Sequence, residues 1–152
     1  MQLRCLKVRK FYLPNPPIIS VDKGRHMGFS NLQIISHLSP HCSTKEVLSG
    51  IQNVKNLGIN GFETDYESFR EFGLFNNLVH LHQLKTLSLT GTNIWRSHIL
   101  PASIPSAKYF PATLKKLKLK NTYLSWSYLD IIAKLPNLEV LKQMVDACWG
   151  EE

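Results

Sequence analysis

Nowhere in this 152-residue chain is there a run of about 18 apolar residues, so no membrane-spanning helix is expected. Cysteine is scarce: Cys5, Cys42 and Cys148 are three, an odd number, widely spread and without a Cys-x-x-Cys pair. That excludes a disulfide framework and points to reduced thiols inside a cell. Ten asparagines include no Asn-x-Ser/Thr acceptor, which agrees with the same compartment. The first residues, MQLRCLKVRKFYLPNPP, hold charge and proline where a secretion signal needs an apolar stretch of about 7–15 residues. A cytoplasmic protein is expected.

Catalytic signatures are missing as well. There is no Gly-x-x-x-x-Gly-Lys-Ser/Thr phosphate loop, no His-Glu-x-x-His and no Gly-x-Ser-x-Gly. The histidines (His26, His37, His41, His80, His82, His98) are scattered. His41-Cys42 is the only adjacent pair of soft ligands, too little for metal-ligand spacing. Asp65, Glu67 and Glu71 cluster among Tyr66, Phe69 and Phe72, which reads as an amphipathic helix with a solvated acidic edge. Neither an enzyme, a cofactor nor a small-molecule substrate is expected.

What the sequence does have is a spacing. In LKKLKL, leucines fall at Leu114, Leu117 and Leu119, three apart and then two, which fits neither a helix period of about 3.6 nor a strand period of about 2. The same spacing recurs as Leu3, Leu6, Val8, as Val54, Leu57, Ile59 and as Leu84, Leu87, Leu89. Leu138 and Leu141 begin another copy, with Gln143 in the last place. Leu32 and Ile35 begin a weaker one, with His37 where an aliphatic belongs. The copies start near residues 3, 32, 54, 84, 114 and 138, at intervals of 29, 22, 30, 30 and 24. Ile51, Leu81 and Leu135 extend three copies backward, and Thr92 with Ile94 and Thr122 with Leu124 extend two forward.

This pattern resembles the leucine-rich repeat, whose period is about 20–29 residues. The resemblance implies an α/β repeat fold with one domain over residues 1–152 and about six repeats. It would be a curved solenoid, with short parallel strands on its concave face and irregular short helices and loops on its convex face. STKE (Ser43, Glu46) and TDYE (Thr64, Glu67) look like capping boxes opening such helices. SYLDIIAKL turns Leu129, Ile132 and Leu135 to one side, and the prolines of LPASIPSAKYFPATL predict an irregular connection. Trp95, Trp126 and Trp149 are expected to pack under connections, with Trp95-Arg96 the one candidate for an exposed contact. Neither end supplies a polar capping repeat, so the ends should associate unless covered.

The phrases LPNPP, NLQIISHLSP, GIQNVKNLGI and FPATLKKLKLKNTYLSWSYLDIIAKLPNLEVLK look like plant intracellular immune receptors of the late-blight-resistance type. Those receptors combine coiled-coil, nucleotide-binding and leucine-rich-repeat domains. The likeness runs from about Leu3 to Cys148. It implies pathogen sensing in defence and autoinhibition, with protein partners: the receptor's own nucleotide-binding domain, a pathogen effector or a guarded host protein. The chain departs from the family in lacking the phosphate loop and coiled-coil heptads, so ADP or ATP is expected only in a nucleotide-binding domain that these residues do not contain.

In this frame the outward strand positions form the candidate interaction face: Lys7, Arg9, Asn56, Asn60, Thr86, Ser88, Thr90, Lys116, Lys118, Lys120 and Lys142. Gly58, Ser36, Ile34, Cys5, Val140 and Met144 share the band. The plainer reading is that such positions need only be polar. Net charge of +7 raises nucleic acid or an anionic membrane as partners. Yet the lysines stand where a buried leucine ladder must leave side chains to water, and no aromatic interleaves with them as a single-strand platform requires.

Overall fold

The computed structural model describes residues 4–6, 31–66, 73–92 and 106–149. Most of the repeats open with one reverse turn. The N–H of Val54 donates to the Ile51 carbonyl at 3.0 Å, Leu84 to Leu81 at 3.1 Å, Leu114 to Pro111 at 3.0 Å and Leu138 to Leu135 at 3.4 Å. The backward extension in the sequence therefore marks a turn. Pro111 fills that place in the fifth copy because only its carbonyl is needed there.

Directly after the turn, two successive N–H groups converge on one carbonyl of the preceding repeat. Gln33 and Ile34 donate to Arg4, Lys55 and Asn56 to Gln33, Lys85 and Thr86 to Lys55, Lys115 and Lys116 to Lys85, and Glu139 and Val140 to Lys115. The strands begin there. Among the described residues they are β1 (Cys5–Leu6), β2 (Ile34–Leu38), β3 (Asn56–Phe62), β4 (Thr86–Thr92), β5 (Lys116–Lys120), β6 (Leu124–Ser125), β7 (Val140–Gln143) and β8 (Cys148–Trp149). One parallel sheet runs β1-β2-β3-β4-β5-β7, and β6 pairs with β8 in a second, two-stranded parallel sheet. The architecture is α/β, with every strand beside its predecessor in the repeat.

The register aligns the repeat positions. Leu6, Ile35, Leu57, Leu87, Leu117 and Leu141 form one row across the sheet. Leu57, Leu87, Leu117, Ile59, Leu89 and Leu119 are at most 1% exposed. Removing each from water stabilises by roughly 1.5–3 kcal/mol. The row fails at its last member: Leu141 is 38% exposed and Gln143 lies open where Leu119 is buried.

The weak second copy is repaired by a bulge. Ile35 lies opposite Leu57 but Leu38, not His37, lies opposite Ile59, so β2 carries one extra residue. His37 turns to solvent and Leu38 enters the core. The bulge presses backbone onto β3, where a Cβ on Gly58 would sit 2.1 Å from the Ser36 carbonyl oxygen. Glycine is required there by space.

Short helices α1 (Lys45–Gly50), α2 (Glu63–Tyr66), α3 (Gly73–Leu78) and α4 (Ser127–Ile132) lie between the strands, with 3-10 turns at Pro40–Cys42 and Ala107–Tyr109. The cap of α1 is Thr44, one residue beyond the expected Ser43: its Oγ1 accepts from the Val47 N–H at 3.3 Å, while Ser43 is buried and donates to the Ser39 carbonyl. Helix α2 starts before Thr64, so TDYE is not its cap. Asp65 instead accepts from the Phe62 N–H at 2.7 Å, as the acid at the third helical position of a capping box does. Asp65 is thereby buried, not part of a solvated edge; Glu67 and Glu71 lie outside the described residues. In α4, Ile132 and the following Leu135 are buried as expected and Leu129 is half-buried. Tyr128 also turns inward, while Trp126 is 45% exposed and does not pack under a connection. Trp95 and Arg96 lie outside the described residues, as do residues 100–105 of the proline-rich connection. Phe110 at its end meets Phe75 of α3 edge-on, ring centroids 5.0 Å apart.

Two buried tyrosines differ in one atom's company. The Tyr66 hydroxyl donates to the Thr90 carbonyl at 3.0 Å, tying α2 to β4, whereas the Tyr128 hydroxyl is buried with no partner. Burial pushes both phenols upward from their ordinary pKa, so both stay protonated. Tyr66→Phe should therefore cost about 0.5–1.5 kcal/mol, and Tyr128→Phe should be neutral or stabilising because it deletes an unsatisfied group. Denaturant melts of the two variants check this, and equal losses would contradict it. Gly58→Ala should cost roughly 1–3 kcal/mol, with the loss relieved when His37 is deleted to remove the bulge. Melting the single and combined variants tests that coupling.

Candidate functional site

Strands β3, β4, β5 and β7 present their even-numbered residues on the sheet face opposite the leucines. The register sorts these into rows: Asn56, Thr86, Lys116 and Val140; Gly58, Ser88, Lys118 and Lys142; Asn60, Thr90 and Lys120. Eight candidate residues of the β3–β5 strands and Lys142 thus share one surface. Asn56, Lys120 and Lys142 are exposed, and Asn60, Thr86, Ser88, Thr90, Lys116 and Lys118 half-buried by their neighbours. Lys7 and Arg9 lie outside the described residues.

The face is divided. Its β3–β4 part is neutral and internally bonded: the Thr92 hydroxyl donates to Asn60 Oδ1 at 2.7 Å, which fixes that amide with its N–H groups directed away from the shared oxygen. Over Gly58, between Asn56 and Asn60, lies the Ser36 backbone of the bulge. Its β5–β7 part is basic. Lys116, Lys118 and Lys120 stand on one strand about 6.6–7 Å apart, and Lys142 lies directly opposite Lys118. Like charges opposed across strands destabilise, and water screening over about 8–10 Å makes the cluster tolerable. Beside it, the exposed Lys115 ammonium pairs with Glu139 on the next strand's approach. An anionic group docked on this part would relieve the repulsion.

Behind the face, the Asn121 side-chain amide donates to the Gly91 carbonyl at 3.1 Å, and the Thr122 hydroxyl to the Ala147 carbonyl at 2.7 Å. Asn121 and Tyr123 take positive φ of 50° and 47°, which turns the chain out of β5. The threonine of the repeat is thus buried and hydrogen-bonded.

The other singled-out group lies apart from this face. His41 Nε2 is 3.1 Å from Asp65 Oδ1, and Cys42 is buried. Among the described residues no group of three or more His, Cys, Asp or Glu could hold a metal ion. Nor is any helix among them long and apolar enough to cross a membrane.

Sequence reasoning missed two features of the surface. Lys142 meets Lys118 only because the last two strands pair in register. The exposed apolar edge at Leu141, Met144 and Val145 was signalled by Gln143 standing where the repeat wants an aliphatic. Compared with known proteins, the chain matches no family profile and no curated protein sequence.

If Lys118 and Lys142 repel, Lys118→Glu should raise stability by roughly 0.2–1 kcal/mol through the new opposite-charge pair. The gain should vanish near 1 M salt, where screening acts within about 3 Å. Melts at low and high salt measure it; a loss at both would mean Lys118 makes another contact.

Proposed function

We propose that this chain is a leucine-rich-repeat solenoid and that it serves as the recognition and autoinhibitory segment of a plant intracellular immune receptor of the late-blight-resistance type. The single observation that carries a binding role is the register. It lines the polar rows of four neighbouring strands on one face and gathers Lys116, Lys118, Lys120 and Lys142 at one end of it. A leucine ladder needs only polar residues outside; a cluster of four lysines on facing strands exceeds that need and costs stability unless an anionic partner offsets it. The family resemblance of the sequence supplies the partner class: an acidic surface of the receptor's own nucleotide-binding domain, or of an effector or guarded host protein. Nucleotide stays with that other domain, since these residues hold no phosphate loop. The protein acts in the cytoplasm and catalyses nothing.

The basic cluster also favours a second reading, attachment to an anionic membrane or nucleic acid by a stand-alone repeat protein or decoy. Salt and probe separate the readings. The variant Lys116→Glu/Lys118→Glu/Lys120→Glu should fold normally and lose at least tenfold in affinity for the family's nucleotide-binding domain, measured by co-purification and titration at low and high salt. Wild-type binding to anionic vesicles or to single-stranded oligonucleotide, with none to the protein domain, would favour the second reading. Equal, salt-independent binding by both proteins would leave the lysines as a solvated face.

A further inference from the structure

The outward face repeats itself. Strand β3 places asparagine at Asn56 and Asn60, β4 places threonine at Thr86 and Thr90, and β5 places lysine at Lys116 and Lys120. Register brings these into two rows of the same composition, Asn56–Thr86–Lys116 and Asn60–Thr90–Lys120. Within a row the neighbours stand on adjacent strands about 4.8 Å apart, and four residues of strand separate the rows by about 13 Å. The row between them differs. It is Gly58–Ser88–Lys118, where glycine offers no side chain and the Ser36 backbone lies over it.

Each end row runs from amide to hydroxyl to ammonium, and every one of these groups can donate a hydrogen bond. In the second row the amide is committed to donation. Its Oδ1 accepts the Thr92 hydroxyl at 2.7 Å, which leaves the Asn60 Nδ2 hydrogens for a ligand. The Thr90 carbonyl accepts the Tyr66 hydroxyl at 3.0 Å, which holds the strand at this row. Short donors at fixed places beside one long cation suit a carboxylate, whose two oxygens only accept and whose charge is negative. The middle row does not suit one on its β3 side. There the Ser36 carbonyl oxygen takes the place of a Gly58 side chain and, like a carboxylate, can only accept.

We infer that the two end rows are matching carboxylate subsites, and that the acidic partner meets them with two Asp or Glu side chains four residues apart on an extended segment. The inference deepens, and rests on, the reading of this face as the surface for an acidic protein. Spacing selects the extended segment. Four residues of extended chain also span about 13 Å and keep both side chains on one side. A helix returns side chains to one line after about seven or eleven residues, which at 1.5 Å each is about 10.5 or 16.5 Å. Neither length matches, and asparagine and threonine are too short to make up the difference. Lys118 and Lys142 draw acids to the face without choosing between spacings, since lysines are long and flexible.

The test titrates two capped peptides of equal charge, Glu-Thr-Val-Thr-Glu and Glu-Thr-Glu-Thr-Val, into the isotope-labelled chain at fixed ionic strength. By NMR the first should bind at least tenfold tighter and shift the side-chain amide signals of both Asn56 and Asn60. Glutamine in place of either of its glutamates should remove that advantage. Asn60→Leu alters no charge and should bring the two affinities together. Thr90→Val should do the same, each variant being confirmed as folded by circular dichroism. Equal wild-type affinity for the two peptides would overturn the inference, as would a preference that survives both substitutions. Co-purification with the family's nucleotide-binding domain tests the underlying reading separately. Domain binding without a spacing preference keeps that reading and ends this inference; a spacing preference without domain binding keeps the subsites and ends that reading.

Discussion

Two N–H groups meeting one carbonyl, repeated from Arg4 to Lys115, is the contact on which the rest of the sheet depends. A strand slipped by one residue would send its whole leucine set to the solvent face, because side chains alternate with period two. The paired donors prevent this by fixing where each strand begins relative to the one before it. The preceding turn, Ile51 to Val54 or Pro111 to Leu114, delivers those donors in the right orientation. Backbone geometry sets the register, and the leucines make that register stable.

This division explains why repeats of 22 to 30 residues build one regular sheet. The variation is confined to the connections outside the sheet, where α1 to α4 are all too short to be stable by themselves. They are held by what they touch: Tyr66 by the Thr90 carbonyl, Asn77 by the Ser43 carbonyl, Phe75 by Phe110. Each bond reaches from one repeat to its neighbour. Stability is therefore shared pairwise along the chain.

The inward half of the fold was legible in the sequence because burial imposes a strict pattern. Val54, Leu57 and Ile59 and their equivalents at 84 and 114 are spaced as the sheet requires, and no other reading accounts for three leucines at three-then-two. His37 misled, since a bulge shifts the pairing by one residue and a spacing rule cannot see it; Gly58 opposite was the trace left in the sequence. The helix caps were displaced at Thr44 and Asp65 because Ser43 found a buried backbone partner and Asp65 bonded to Phe62 ahead of the helix. Capping motifs name the residue types but not which competing acceptor wins. The outward residues could be assigned to a face but not ranked, since water tolerates any polar side chain there. Only pairing across strands set Lys142 against Lys118.

The same ladder gives its outward face two unlike parts. Along that face the charge changes from neutral asparagine, threonine and serine on β3 and β4 to lysine on β5 and β7. The lysine part is chemically selective but tolerant in shape, since lysines are long and flexible and bind anions as point charges. On the neutral part the opposite holds: the side chains are short, and the register fixes their spacing. Charge attracts over about a Debye length of 8–10 Å, whereas a hydrogen bond acts only on contact. A partner is therefore steered by the lysines and placed by the asparagines and threonines beside them.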